Sequence, residues 1–348
     1  MAPDTRAGGA EKGDLTILKV RNLVVKFGSA VILSNISLDI LEGEVVGIVG
    51  MSGSGKTTLL STIMGVIPPS GGEVYYKPQR ILRTREDTTQ FKAIQSDPDD
   101  IKHTFGFSAQ TPSFYPKLTV KENLDFFGTM YGLPVEVKRT NAEILLDLVG
   151  LTRSADKLAE RLSGGMQKRL DIACALIHNP HVLILDEPTA DLDPVLRSQM
   201  WELVRRINHR GTTVILASHF LEELETLCTR IAILYERQIV AMGTPLELQQ
   251  KFHTGEMVVV QTLDRDYSKI IDDLKRVFKL TDKHFLERNG KLEVHVPDAT
   301  KIIEELGEDM DVDATPRDGD IVPTLNAQYV LKRIMRLFER DREALLYI

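Results

Sequence analysis

Cysteine is scarce in this chain, with two among 348 residues, Cys174 and Cys228. They form no CxxC pair, and each falls in an apolar helical pattern. A disulfide scaffold and a thiolate metal site are therefore excluded, and both read as buried, inert thiols in a reducing compartment. Long apolar runs are also missing. The longest, EVVGIVG (Glu44–Gly50) and HVLILD (His181–Asp186), fall far short of the ~18–20 residues that span a bilayer and read as buried strands. Any membrane role must then come through a partner chain. Positive charge is not in excess either. A net charge of −7 argues against general nucleic-acid binding. The polar, Gly/Ala-rich residues 1–14 carry no apolar stretch, so they read as a disordered leader and not a signal peptide.

What is present is the patterning of an α/β protein long enough for about two domains. Leu15–Glu44 alternates apolar and polar residues, predicting antiparallel strands. From Val45 the pattern becomes strand, Gly-rich turn, then helix to near Met64. The polar segment Lys77–Asp100 reads as surface loop with helical pieces. Thr119 and Glu122 form a capping box that opens a helix, and helical patterns run on to Asn179. A buried strand follows, then a helix over Arg197–His209 and a strand at TTVILAS. The character changes near Gly243-Thr244-Pro245. Beyond Lys251 come a strand (EMVVVQT), a helix (DYSKIIDDLKRVF), a strand pair about Asn289-Gly290, a helix (ATKIIEELGE) and an amphipathic helix from about Leu325. Asn-Gly between alternating runs is a hairpin signal. The β-α-β-β-α order suggests a small ferredoxin-like domain over 251–348.

Two stretches carry phosphate chemistry. GMSGSGKTT fits G-x-x-x-x-G-K-[ST] through Gly50, Gly55, Lys56 and Thr57, between a strand (VVGIV) and a helix (TLLSTIM). Glycines let the backbone of Gly50, Ser52, Gly53, Ser54 and Gly55 wrap phosphates, and the helix N–H groups, Thr58 included, face the oxyanions. Lys56 reaches the β/γ-phosphates and the Thr57 hydroxyl takes Mg²⁺. VLILDEP delivers a second element, Asp186 and Glu187, at a strand's C-terminal end, where open α/β sheets bind ligands. Asp186 is placed to hold Mg²⁺ and Glu187 to polarise water. These residues define a P-loop NTPase.

A further ordered set resembles the ABC transporter ATPase family. LSGGM (Leu162–Met166) is similar to its signature motif, Gln110 in FGFSAQ to its Q-loop and ADLD (Ala190–Asp193) to its D-loop. His219 in ILASHF is similar to its switch histidine, and Phe27 in VVKFG to its adenine-stacking aromatic. Singly, Phe27 fits a core strand aromatic, His219 a helix cap and Gln110 a loop amide. Their order across Leu15–Gly243 makes the resemblance specific. It implies a P-loop core of ABC type over 15–245: a mixed sheet with a RecA-like core, an antiparallel β subdomain and a helical subdomain at about 111–180. The small α+β domain follows. It also implies Glu187 as general base, His219 as γ-phosphate contact, Gln110 as Mg²⁺ and water ligand, and Asp193 as a link between two sites. Ser163, Gly164 and Gly165 would close over ATP held by the Lys56 of a second copy, in a head-to-tail homodimer.

The implied activity is ATP hydrolysis, with ATP and Mg²⁺ as cofactors, driving transport by separate transmembrane permease subunits at the inner face of the cell membrane. Aromatic residues of SFYPKLTVKENLDFFGTMYG, Phe114, Tyr115, Phe126, Phe127 and Tyr131, belong mostly to a helical core, with one or two left for the permease. The alternative is a soluble ABC-type ATPase of DNA maintenance or translation. The interval from Gln110 to Leu162 is too short for a coiled coil, and only one motif set is present, which disfavours both. Met166 and the C-terminal PTLNAQYVLKRI resemble daunorubicin-exporter-type ATPases, so export is favoured over import. The last helix puts Val330, Ile334, Leu337 and Phe338 on one face, which packs on its own domain, a dimer mate or a membrane surface.

Overall fold

A computed structural model describes residues 15–78, 81–82, 90–252, 256–260, 267–281, 285–288 and 291–296. The chain divides into two compact units, with the boundary after Pro245.

The first unit holds two sheets. In the antiparallel one, β1 (Thr16–Phe27), β2 (Ala30–Leu41), β4 (Gly71–Tyr76) and β5 (Lys92–Ala93) lie in the order β2-β1-β4-β5. The alternating sequence puts Leu18, Val20, Leu23 and Val25 of β1 into the core. Phe27 pairs with Ala30 across a two-residue turn that needs the positive φ of Gly28, 59°.

The second sheet has the order β10-β9-β3-β8-β7-β6. Its strands are β3 (Val45–Val49), β6 (Phe105–Ser108), β7 (Val182–Asp186), β8 (Thr213–Ser218), β9 (Arg230–Tyr235) and β10 (Gln238–Gly243). Neighbours pair in parallel except β10, which runs antiparallel to β9. Every residue of β3, β7 and β8 is buried. Parallel strands covered on both faces need continuous apolar runs, which is why VVGIV and VLIL do not alternate. Helix α1 (Lys56–Ile63) contributes Leu59, Leu60 and Ile63 to one hydrophobic cluster that spans both sheets.

Between β6 and β7 lie α3 (Val120–Met130), α4 (Val135–Leu148) and α5 (Gly164–Leu176). The capping box at Thr119 and Glu122 is formed as expected. Phe114 is buried, whereas Tyr115 is exposed and packs edge-on to Phe126 with ring centres 4.5 Å apart. His178 follows α5, stacks on Tyr131 at 3.7 Å and hydrogen-bonds the Phe105 carbonyl at 3.1 Å, which ties the helices to β6. Burial holds that imidazole down at about 4. The remaining helices of this unit are α2 (Pro98–Thr104), α6 (Pro194–His209) and α7 (Leu221–Leu227), with α8 (Pro245–Phe252) at the boundary. The segment expected to be loop with helical pieces thus also supplies the short strand β5. The helix expected over Arg197–His209 begins earlier, at Pro194, because Asp193 caps it and Pro at the first helical position suits a helix start. Both cysteines are free and buried, and burial pushes both thiols up.

In the second unit, β11 (Glu256–Val260), β12 (Phe285–Arg288) and β13 (Lys291–Val296) form an antiparallel sheet of order β11-β13-β12. Helix α9 (Ser268–Phe278) joins β11 to β12. Tyr267, Leu274, Leu280, Leu292 and Val294 form its core. Arg288 pairs with Lys291, as the Asn-Gly hairpin signal predicts. The expected helix at 299–308 and the terminal amphipathic helix lie outside the described residues.

Candidate active site

The parallel strands deliver their C-terminal ends to one edge of the sheet. In register, Val49 of β3 stands beside Ser218 of β8, Asp186 of β7 beside Ala217, and Ser108 of β6 beside Leu185. The loop at Gly50, the acidic pair, His219 and the Gln110 segment therefore leave the sheet side by side, where open α/β sheets bind ligands.

Close packing explains the first loop's glycines. A Cβ at Gly50 would lie 2.6 Å from the Leu234 carbonyl oxygen. Gly55 caps α1 at φ 105°, and a Cβ there would lie 2.8 Å from Leu33 Cδ2. The loop curls around Lys56, whose buried ammonium donates to the carbonyls of Gly50 at 2.9 Å and Met51 at 3.2 Å. Ser52, Gly53 and Thr57 are exposed along the loop and helix start, while Thr58 and Ser54 are half-buried. Ser54 Oγ has no hydrogen-bond partner among the described residues.

Glu187 is the centre of the charge arrangement. Its Oε1 is 3.3 Å from Lys56 Nζ and its Oε2 is 2.8 Å from His219 Nδ1. The residue is buried and sits at φ 50°, a left-handed conformation costing a non-glycine residue on the order of 1–3 kcal/mol. Its N–H donates to the Ala217 carbonyl at 3.0 Å, which pins the turn. Asp186 is also buried, and its Oδ1 has no hydrogen-bond partner among the described residues. Burial pushes this carboxyl above the usual carboxylate range and Glu187 adds to the rise, while Thr57, Lys56 and Lys168 oppose it. A buried carboxylate oxygen without a partner, next to the Thr57 hydroxyl, is the donor set of a hard cation, so these residues fit Mg²⁺.

Gln110 is exposed, and its carbonyl accepts a hydrogen bond from Lys168 of α5. The loop around it is closed by a group that the sequence reading missed. Asp171 of α5 accepts from Ser108 Oγ at 2.5 Å, Ser113 N at 2.7 Å and Ser113 Oγ at 3.1 Å. Burial pushes the Asp171 carboxyl up against those bonds. The sequence offers only an acid within the otherwise apolar run LDIACAL, which names no partner.

The remaining predicted residues stand apart. Ser163 caps α5 and accepts from Met166 N at 3.4 Å. Ser163 and Gly164 are exposed, and a Cβ on Gly164 would meet nothing within 4 Å, whereas one on Gly165 would lie 3.2 Å from Leu196. Asp193 caps α6, accepting from Val195 N and Leu196 N at 3.0 Å each. Phe27 is 53% exposed at the end of β1. Among the described residues, no hydrogen bond, ion pair or ring contact joins Ser163, Asp193 or Phe27 to Lys56, Asp186, Glu187 or His219.

The ABC transporter family model matches residues 33–190. The linearmycin resistance ATP-binding protein LnrL of Bacillus subtilis is 33% identical over 291 residues, 83% of this chain and 89% of the relative. The chain belongs to the ABC transporter ATP-binding family. The Nod factor export ATP-binding protein I of Burkholderia lata is 34% identical over 262 residues, covering 75% of this chain and 81% of the relative. In three dimensions this ABC ATPase is similar to CbiO1 of Clostridium perfringens, with a TM-score of 0.60 at 26% identity over 76% of this chain and 96% of that one. It is also similar to the cassette MJ0796, solved as a dimer in a post-hydrolysis state bound to ADP and Pi. That TM-score is 0.56 at 29% identity, covering 66% of this chain and 99% of the other. The protein is the ATP-binding subunit of an ABC transporter and an ATPase. No helix among the described residues is long and apolar enough to cross a membrane.

Proposed function

We propose that this ABC ATPase powers an exporter as a head-to-tail homodimer, docked through its helical subdomain on separate permease subunits at the inner face of the membrane. Residues 15–245 form the catalytic domain and 251–348 an accessory domain. The single observation that carries the catalytic reading is Glu187, held between Lys56 and His219 at the edge where the strands end.

The loop from Gly50 to Gly55 and the N–H groups of Lys56, Thr57 and Thr58 cradle the phosphates of ATP. Phosphate oxygens compete with the Gly50 and Met51 carbonyls for the Lys56 ammonium. As the ammonium turns to them, Glu187 Oε1 is freed to accept a proton from the attacking water. His219 holds Oε2 through Nδ1 and keeps Nε2 for the γ-phosphate. Thr57, Asp186 and Gln110 would hold Mg²⁺, which would supply positive charge to offset that of the phosphates. Phe27, exposed at the end of β1, offers its ring to adenine. Ser163 and Gly164, both exposed, close with Gly165 on the ATP of the second copy, while Asp193 meets it across the interface.

Export is supported by the names of the relatives, a resistance protein and an export protein. The 291-residue alignment to the former exceeds the first compact unit, so it runs into the accessory domain as well. Glu187→Gln should abolish turnover while sparing ATP binding, and light scattering should then show an ATP-dependent dimer. Adding Ser163→Arg to that variant should return it to a monomer that still binds ATP. A dimer that survives Ser163→Arg overturns the shared-site reading, and turnover that survives Glu187→Gln removes Glu187 from the base role. Co-purification with ribosomes or DNA in place of a multi-span membrane protein overturns the transport reading.

A further inference from the structure

The turn carrying Asp193 and the segment carrying His219 are joined by side chains outside every motif of the sequence. Arg197 lies in the first turns of α6. Its Nε donates to the Leu192 carbonyl at 2.8 Å and its Nη1 to Glu223 Oε1 at 3.1 Å. The face of the same guanidinium lies over the Phe220 ring, 4.5 Å from its centre. Glu223, in α7, uses its other oxygen to accept the Thr189 hydroxyl at 3.0 Å. Phe220 stands 3.9 Å from the His219 ring, centre to centre, and its N–H donates to Ser218 Oγ at 3.1 Å. His219 in turn holds Glu187. The Arg197 and Glu223 side chains are 30% and 15% exposed, so this ion pair is more shielded than an ordinary surface pair.

We propose that Arg197 and Glu223 are positioning residues, which set the angle at which His219 meets Glu187 according to the conformation of the turn from Thr189 to Asp193. The inference rests on the reading of Glu187 and His219 as the hydrolytic pair. Its physical basis is the guanidinium, a rigid plane with donors in a fixed fork. Two edges are committed, one to Leu192 and one to Glu223, and the face is committed to Phe220. A movement of the Leu192 carbonyl therefore turns the plane, and the plane carries the ring beside His219. Glu223 fixes the same turn a second time through Thr189. When a second copy engages Asp193, the displacement is passed to the catalytic carboxylate inside this chain. Lysine at position 197 keeps the charge but cannot hold three directions at once.

The test uses the full chain carrying Arg197→Lys, Glu223→Gln, or both. ATP turnover, melting temperature and the imidazole NMR signal of His219 are read on each. Turnover should fall about 10- to 100-fold in kcat, because ~1 Å of misplacement away from the chemistry costs up to about 10²-fold. KM for ATP should stay within about twofold, as expected when only transition-state placement is lost. The double variant should be no slower than the worse single one, since both act through one network. The His219 signal should move in each variant while the other histidines keep theirs. Wild-type kcat in Arg197→Lys, a KM rise that accounts for the whole loss, additive effects, or an unmoved His219 signal would each overturn the proposal. If Arg197→Lys melts below assay temperature, Glu223→Gln, which preserves shape, carries the test. The NMR signal is read without turnover, so failure of the Glu187 base assignment would be seen separately, as turnover surviving in Glu187→Gln.

Discussion

The two glycine cradles of this chain differ in what fills the space around them. At Gly50 a Cβ would sit 2.6 Å from both the Leu234 carbonyl and Ser54 Oγ, and at Gly55 it would sit 2.8 Å from Leu33. At Gly164 it would meet nothing within 4 Å, and the adjacent Ser163 is exposed. The first loop also lies against the buried charges of Lys56, Asp186 and Glu187. Crowding from within the chain therefore explains Gly50 and Gly55 of the first cradle, while Gly53 has open space and a positive φ of 78°. Among the described residues nothing crowds Gly164. That open space suits the proposed closure of Gly164 on the nucleotide of a second copy.

The largest expected effect that would sharpen this contrast is at Gly55. Gly55→Ala must adopt φ near 105° against Leu33. Strain of ~1–2 kcal/mol in a left-handed residue, plus the clash, should lower both the melting temperature and ATP affinity, the latter by tenfold or more. Calorimetric titration with ATP checks it, and unchanged affinity would break the account of the first cradle. Gly164→Val should leave melting and ATP binding by the single chain as they are while cutting turnover. Loss of binding in that variant would mean that the two cradles are not independent.

Asp186 gives a smaller effect of opposite sign. Its folded pKa is raised by burial, so the cost of the charge is absent below the ordinary carboxylate range and grows as pH rises through the folded pKa. Asp186→Asn should therefore raise the melting temperature of the ligand-free chain at neutral pH. The gain should shrink to nothing as pH falls below that window, and Mg²⁺ binding should be lost with it. A gain that grows on acidification would contradict the burial cause. The smallest effect is at the capping box. Thr119→Ala should cost ~1 kcal/mol of stability, read in denaturant, with ATP binding unchanged, because the lost hydrogen bonds lie within the first turn of α3.

Much of this was legible in the linear chain. Period-2 alternation marks β1 and β2, unbroken apolar runs mark β3 and β7, and Thr119 with Glu122 marks the start of α3. The P-loop and acidic strand could be read because their spacing is local: a strand must end where the loop begins. The Asp171 clamp and the Arg197–Glu223 strut were not legible. Their partners lie 26 to 63 residues away along the chain, and a serine or an arginine alone carries no signal of which partner it will meet.

The amino-acid sequence by itself determined the strand–loop–helix cradle, the identity of its lysine and acids, and the order of motifs, since these follow from local periodicity and glycine spacing. Only the tertiary structure decided that Glu187 is shared between Lys56 and His219 in a left-handed backbone conformation, and that Gly164 faces open space. Those facts depend on the parallel register that sets four strand ends at one edge, and register is a property of long-range pairing that no short stretch contains.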